Sequence, residues 1–163
     1  MQHIPVLLKE VIELLDPRPG EMVIDATLGL GGHAEAIIRV IGSNGKFIGL
    51  DADEENLKYA GEKLKKLDCL VELHHLNFKD VASVVKSPVN IIFADLGLSS
   101  PHLDDTERGF AFREDASLDM RYDRTSGITA SELISSLKEE ELANVLWKYG
   151  ELRTSRRITK IIK

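Results

Sequence analysis

Asp25, Asp51 and Asp95 each follow a short apolar run, and they are well suited to bind a polar ligand. Each run is typical of a buried strand, and parallel strands end at a common edge of their sheet. We therefore expect the three carboxyl groups to line one rim. Phe78, just beyond a further apolar run, adds an aromatic ring at the same edge. Packing alone does not readily explain four such residues at four strand ends.

A glycine-rich turn separates the first predicted strand from the helix that follows it. Gly29, Gly31 and Gly32 lie in this turn, where glycine lets the backbone bend sharply and approach a ligand. Asp51 stands twenty residues after Gly31, the spacing at which a Rossmann-like unit uses an acid to accept ribose hydroxyls. The pattern favours a nucleoside-bearing cofactor. The alternative is an ordinary strand–helix–strand unit in which Asp51 caps the next helix.

Strand and helix patterns alternate through the first two thirds of the chain, which predicts an α/β fold with a parallel sheet and helices on both faces. Apolar residues with helical spacing also predict a leading helix beside the sheet. The predicted strands are 22–25, 46–51, 69–73 and 89–94; the predicted helices are 6–15, 32–41, a longer one from residue 52 or 53 to 67, and a short one from 77.

The segment 96–124 lacks a regular period, and its aromatic residues and alternating charge favour an ordered functional loop. Helical patterns resume after it, and two capping-box sequences begin at Thr129 and Ser136. Trp147 is interpreted as a packing residue. The last predicted helix spans 151–163, with an apolar stripe made of Ile158, Ile161 and Ile162.

The charge of the chain is unevenly distributed. The net charge is −6 over 163 residues, yet the tail 153–163 holds five basic residues and no acidic one. The acidic balance argues against a general nucleic-acid binder, whereas the tail favours either phosphate contacts or a solvated helix face. The single Cys69 is interpreted as a buried structural thiol. No apolar run reaches the ~20 residues that cross a membrane and no signal peptide is evident, so we expect a cytoplasmic location.

Several strings in this chain resemble the bacterial small-subunit ribosomal RNA cytosine-N4 methyltransferases, the MraW/RsmH family. The resemblance covers the whole chain, and the Leu-Asp-Met-Arg and Arg-Gly-Phe strings are its most specific parts. It implies a Rossmann-like class I methyltransferase fold followed by the start of an inserted helical domain. The strings are His3-Ile4-Pro5-Val6-Leu7, Asp25-Ala26-Thr27-x-Gly29-x-Gly31-Gly32-His33, Asp95-Leu96-Gly97-Leu98-Ser99-Ser100, Arg108-Gly109-Phe110-x-Phe112 and Leu118-Asp119-Met120-Arg121-Tyr122-Asp123.

The resemblance also implies a reaction. The family methylates the exocyclic amine of a decoding-centre cytosine in 16S ribosomal RNA of the small subunit, using S-adenosylmethionine. On this basis Gly31, Gly32 and His33 contact the amino-acid and ribose parts of the cofactor. Asp51 holds the ribose hydroxyls, and Phe78 lies near the adenine.

Further residues are assigned by the same resemblance, with two departures from the family. Asp95 faces the methionine end of the cofactor. His102 is a further cofactor contact, although the family usually has Gln there, and Leu152 replaces a Glu. No metal is expected, because an amine held in line with the methyl group needs positioning and a hydrogen-bond acceptor. Asp95 is the first candidate acceptor. Asp119 is the second, unless it only pairs with an arginine.

The chain is roughly half as long as the family's members, so we expect a fragment with a cofactor domain, 1–105, and an active-site loop with part of a helical RNA-contacting insertion, 106–163. The strand 89–94 should then lie at an exposed sheet edge. Two other functions stay open. One is a non-catalytic cofactor- or RNA-binding fragment, and the other is an NAD-dependent oxidoreductase using a similar glycine–acid geometry.

Overall fold

A computed structural model describes residues 5–111 and 115–163 of the chain, without the side chains of Ser100 and Pro101. His3, Ile4 and Phe112, which belong to the strings quoted above, lie outside the described residues. The described chain forms two compact units, residues 1–100 and 101–163. No helix within these described ranges has the length and apolarity needed to span a membrane.

The first unit is an α/β unit built on a parallel sheet of four strands in the order β3-β2-β1-β4. This confirms the predicted parallel sheet. In chain order the elements are α1 (Leu8–Leu15), β1 (Met22–Asp25), α2 (Gly32–Ile41), β2 (Lys46–Asp51), α3 (Glu54–Leu64), β3 (Leu70–His75), a 3-10 helix (Phe78–Ser83) and β4 (Ile91–Phe93).

The two faces of the sheet are covered differently. Val23 and Phe47 are neighbours on one face and are fully buried against α2 and α3, with α1 packed at the margin. Ile24 and Ile48 are neighbours on the other face, where the 3-10 helix and the segment around Val84 provide the described cover. Residues next to each other on a strand point to opposite faces, so the central strands β1 and β2 supply both cores.

The predicted bounds of two strands, 69–73 and 89–94, are wrong at both ends, since the strands span Leu70–His75 and Ile91–Phe93. β3 extends to His75, because its backbone continues to pair with β2 although His74 and His75 are polar. β4 is shorter than predicted and ends at Phe93, since the backbone N–H of Asp95 donates to a side chain instead of to a strand. Backbone pairing does not depend on side-chain polarity, and a reading of apolar runs therefore misplaces such ends.

β4 pairs with β1 and has no partner on its other side among the described residues. Ile92 shares a face with the buried Ile24, yet 58% of its surface is exposed. This strand is the exposed edge that the sequence predicted.

The second unit is helical. Its elements are α4 (Ser100–Asp104), a second 3-10 helix (Thr106–Arg108), α5 (Ala130–Ser136), α6 (Glu139–Lys148) and α7 (Ser155–Ile162). The first predicted capping box is confirmed, because the Thr129 hydroxyl accepts from the Glu132 N–H at 3.1 Å and Glu132 bonds back to the Thr129 N–H at 2.8 Å. The second is displaced, because Lys138 precedes α6 and its N–H donates to Glu141 at 2.8 Å.

The predictions for the C-terminal helix need correction. α7 starts at Ser155, because Glu151 adopts a positive φ of 52° that interrupts a helix. Its buried positions are Ser155 and Thr159, whereas Ile161 is 77% exposed. Trp147 is also 57% exposed, so the interpretation of this residue as a packing residue is wrong.

Candidate functional site

The glycine turn of the first unit is fastened to the end of β2 by Asp51. One carboxylate oxygen of Asp51 accepts from the Gly29 N–H at 2.7 Å, and the other accepts from the Asp53 N–H at 2.8 Å. Gly29 has a φ of 52°, a conformation that glycine adopts at little cost. Asp53, and not Asp51, is the cap of α3, since it accepts from the Glu55 N–H at 2.9 Å. Asp51 therefore shapes the turn from the strand end.

Asp25 is buried at the end of β1, with 1% of its surface exposed. The pKa of this carboxyl is raised to about 7, chiefly by burial and also by the negative charges of Asp51 and Asp95, against a lowering hydrogen bond from the Thr27 N–H. A carboxylate taken out of water without a cation favours its neutral form. The three predicted carboxyl groups therefore influence one another at a common rim.

Asp95 stands beyond the end of β4 and is exposed. Its backbone N–H donates to the Thr27 hydroxyl at 2.7 Å, while the Ala26 N–H donates to the Phe93 carbonyl at 2.9 Å. These bonds join the turn after β1 to the end of β4. The sequence reasoning did not recognise Thr27 as the link, although an Asp-x-Thr string after a strand signals a side-chain turn.

Phe78 begins the 3-10 helix after β3 and exposes 49% of its surface. The backbone before it is tied to the rim, because the Leu76 N–H donates to the Asp51 carbonyl at 3.1 Å. The Asn77 side chain caps the 3-10 helix by accepting from the Lys79 N–H at 3.0 Å. A large aromatic ring is thus left accessible near the end of β2.

Gly31, Gly32 and His33 form the start of α2, and their contacts are with the protein itself. A Cβ on Gly31 would lie 3.2 Å from that of Ala60, and one on Gly32 would lie 2.2 Å from Cγ of Pro5. The His33 ring is 9% exposed, packs edge-on against Phe93 at 5.2 Å, and its Nε2 lies 2.9 Å from the Val6 carbonyl. These residues hold the chain before α1 against the turn, and their predicted contact with a cofactor stays a prediction.

A groove of about 860 Å³ is lined by α1, α2 and α3. It is bordered by the ion pairs of Glu35 with Arg39 and Lys63 and by Gly32. The carboxyl groups of the rim are not among its lining residues. Two of its cations, Arg39 and Lys63, already pair with Glu35, so this groove is not the candidate site.

Asp119, in the second unit, is held by an arginine. Arg121 grips both of its oxygens, with Nε–Oδ1 at 2.7 Å and Nη2–Oδ2 at 3.0 Å. The hydrogen bonds from Arg121 outweigh partial burial and lower the pKa of Asp119 to about 2. The sequence left open whether Asp119 only pairs with an arginine, and the structure shows this pairing with Arg121. Arg124 adds a longer contact of 3.8 Å.

Arg108 organises the same loop from inside the second unit. It is 3% exposed, and its Nη2 donates to the carbonyls of Arg121 and Tyr122 at 3.1 and 3.0 Å. Gly109, with a φ of 73°, is required next to it, because a Cβ there would lie 2.4 Å from the Ser117 carbonyl oxygen. The two most specific strings of the sequence are thus packed against each other.

His102 is buried in the second unit with 2% exposure. Its ring lies 5.0 Å from that of Tyr122 and 5.5 Å from that of Phe110. The structure therefore gathers Asp25, Asp51 and Asp95 at the rim of the first unit. His102 and Asp119 belong to the second unit.

The comparisons with known proteins agree with the resemblance noted in the sequence. Ribosomal RNA small subunit methyltransferase H of Dictyoglomus turgidum is 44% identical over 98% of this chain. The protein of the same name from Acinetobacter baylyi is 42% identical over the whole chain. The chain covers 56% and 55% of these relatives, and so spans about half the length of the curated relatives it matches.

A solved SAM-dependent O-methyltransferase from Thermotoga maritima shares the fold, with a TM-score of 0.50 and 25% identity. The alignment covers 59% of this chain and 37% of that one. This likeness and the strand order identify a class I methyltransferase fold of the Rossmann-like type, and they support S-adenosylmethionine as the cofactor. The family model described as "MraW methylase family" matches residues 1–163, and the chain therefore belongs to the MraW methylase family.

Proposed function

We propose that this chain carries the S-adenosylmethionine-binding part of a methyltransferase for small-subunit ribosomal RNA, with the N4 amine of a decoding-centre cytosine in 16S rRNA as methyl acceptor. The printed names of the relatives support the RNA class. The amine and its location come from the family resemblance. The observation that carries the proposal is the rim of three carboxyl groups, Asp25, Asp51 and Asp95, beside a glycine turn.

The charge of the rim suits this cofactor. S-adenosylmethionine carries a sulfonium and an ammonium group against one carboxylate, a net charge of about +1, and an opposite charge nearby favours ionised carboxylates. Asp25 has a raised pKa because burial and two like charges disfavour its charged form, so a cation beside it relieves that cost. NAD instead carries a pyrophosphate with two negative charges, and like charges near a carboxylate disfavour its ionised form. This comparison, together with the family, argues against the oxidoreductase alternative.

Asp51 and Phe78 are suited to hold the nucleoside. Each Asp51 oxygen accepts one short backbone bond, and a carboxylate oxygen offers two lone pairs. The Asn56 side-chain amide also lies 3.5 Å from both oxygens, a distance at the long limit of a hydrogen bond. Ribose hydroxyls therefore compete only with this weak contact, and the turn is already pre-shaped around the carboxylate. The half-exposed ring of Phe78 offers an apolar face to the adenine.

Asp95 is the better of the two candidate acceptors for the cytosine amine. When bound, the cofactor supplies an activated methyl group on sulfur. The amine lone pair is delocalised into the ring, so the protein must orient it, accept a hydrogen bond from it and receive its proton. Asp95 is exposed at a strand end, whereas both oxygens of Asp119 are engaged by Arg121. The base must leave its stack to reach such an acceptor.

Cofactor binding tests the rim. Calorimetry with S-adenosylhomocysteine should show a loss of about 5- to 150-fold in affinity for Asp51→Ala, because unpaired buried hydroxyls cost about 1–3 kcal/mol. Asp68→Ala is the matched control, since this exposed carboxylate lies before the start of β3, at the opposite end of the strand from the rim. Equal affinities for the two variants would remove Asp51 from the site.

Methyl transfer tests the reaction. Small subunits that lack the modification should accept a labelled methyl group from the wild-type chain, or from a longer protein containing it. Asp95→Asn should reduce the rate of methyl transfer by a larger factor than it reduces the affinity for S-adenosylhomocysteine. Tight cofactor binding with no transfer would favour the alternative of a cofactor- or RNA-binding part without turnover. Transfer that is unaffected by Asp95→Asn would exclude this carboxylate as the acceptor.

A further inference from the structure

The connection between α6 and α7 displays aromatic and basic side chains together at one end of a helical hairpin. Trp147 lies in the last turn of α6 and Tyr149 follows it, with 57% and 74% of their surfaces exposed. The exposed Arg153 precedes α7, and the exposed Arg156 and Arg157 lie in its first turn. Because a short connection joins the two helices, these residues share one end, which we call the hairpin tip.

The hairpin tip is held in a defined shape. The Leu152 N–H donates to the Leu146 carbonyl at 3.2 Å, and the Ser155 N–H donates to the Leu152 carbonyl at 3.0 Å. Below the tip, α6 buries Leu142 and Ala143 while α7 buries Ser155 and Thr159. The aromatic rings are therefore exposed at the end of two packed helices, and their exposure does not result from a loosely packed terminus.

The charge of this region points to a polyanionic partner. Residues 142–163 contain six basic side chains and one acidic one, in a chain with a net charge of −6. The Lys148 ammonium also lies 5.2 Å from the centre of the Tyr149 ring. A second copy of this acidic chain is an alternative partner for the basic side chains, but it does not by itself account for the exposed aromatic rings among them. Unpaired nucleotides match both features, because bases stack on aromatic rings and phosphates attract arginines.

We propose that the hairpin tip binds a single-stranded segment of RNA, with an unpaired base stacked on Trp147 or Tyr149 and flanking phosphates against Arg156 and Arg157. This inference rests on the proposed RNA substrate and adds an RNA contact made by the second unit. The hairpin tip then recognises unpaired bases, which is a common mode of RNA recognition because bases in duplex RNA are hard to reach.

The chain contains one tryptophan, so the fluorescence of Trp147 reports directly on the hairpin tip. Titration with a single-stranded RNA oligonucleotide, without cofactor, should quench this emission, and an abasic oligonucleotide with the same phosphates should quench it far less. In calorimetry, which does not need the tryptophan, Trp147→Ala or Tyr149→Ala should weaken binding of the base-containing strand by about 5- to 150-fold per lost stacked base. Both variants should leave the affinity for S-adenosylhomocysteine unchanged.

The phosphate contacts are tested by salt dependence. Replacing Arg156 and Arg157 together with Ala should reduce the slope of log affinity against log salt by about 1.4, since each contact to a single strand contributes about 0.7. Lys65→Ala with Lys66→Ala is the matched pair of adjacent exposed cations on the first unit, and it should leave the slope unchanged. Equal slopes for the two double variants would overturn the phosphate assignment.

Three results would refute the inference. Trp147 emission unaffected by RNA would exclude stacking at this residue, and equal quenching by abasic RNA would exclude recognition of bases. An emission shift that depends on protein concentration alone would make the hairpin tip an interface between copies. Methyl transfer to ribosomal RNA that persists in any of these cases would leave the proposed function intact and remove only this surface.

Discussion

The buried carboxyl group of Asp25 should make the stability of the protein depend on pH. Its pKa is raised from 3.8 to about 7 in the folded chain, chiefly by burial. A raised folded pKa stabilises the protein below the unfolded value, and this contribution is lost as pH rises through the folded one. From about pH 5 to about pH 8 the free energy of unfolding should fall by about 2.5 kcal/mol on this account.

The substitution Asp25→Asn isolates this effect. Asparagine keeps the size of the side chain and an oxygen that can accept from the Thr27 N–H, now at 3.0 Å, but it cannot ionise. Urea unfolding of both proteins at about pH 5 and about pH 8 gives four free energies. The wild type should lose about 2.5 kcal/mol more than the variant over this interval. All other titrating groups are common to both proteins and cancel in the comparison.

The comparison also has a clear negative outcome. A pH dependence that is the same in wild type and Asp25→Asn would mean that Asp25 is not neutral at low pH in the folded protein. The inference that carboxyl groups crowd their charges at the rim would then be wrong. A cation bound at the rim should lower the pKa of Asp25. The pH effect should therefore shrink when S-adenosylmethionine is present.

Two further predictions concern the second unit and the sheet edge. Arg121 lowers the pKa of Asp119 to about 2, so the stability that this carboxylate contributes is present above the unfolded pKa near 4 and lost as pH falls toward 2. Asp119→Asn should therefore lower the free energy of unfolding by about 1.5–3 kcal/mol at neutral pH. A cost that persists undiminished near pH 2 in urea unfolding would contradict the pairing. Ile92 is 58% exposed on the edge strand β4. Ile92→Lys should reduce self-association in sedimentation experiments, because lysine discourages pairing between sheet edges. A wild type that is already monomeric at high concentration would contradict the prediction of edge association.

The sequence alone was sufficient for the frame of the first unit. Apolar runs that stop at aspartate identified β1 and β2 to the residue, and the glycine turn identified the start of α2. These features are local, since strand ends, turns and caps depend on neighbouring backbone groups. The family strings identified the MraW methylase family in the same way, because they are contiguous in the chain.

Only the tertiary structure decided the pKa values, the ion pairs and the solvent exposure of the side chains. Asp25 has a raised pKa because the fold buries it near Asp51 and Asp95, and Asp119 is tied to Arg121 in preference to the buried Arg108. Periodicity assigned Ile161 to a buried stripe, whereas helix packing buries Thr159 and leaves the tip of the α6–α7 hairpin open. Burial and charge proximity depend on which distant segments meet, and spacing along one segment does not contain that information.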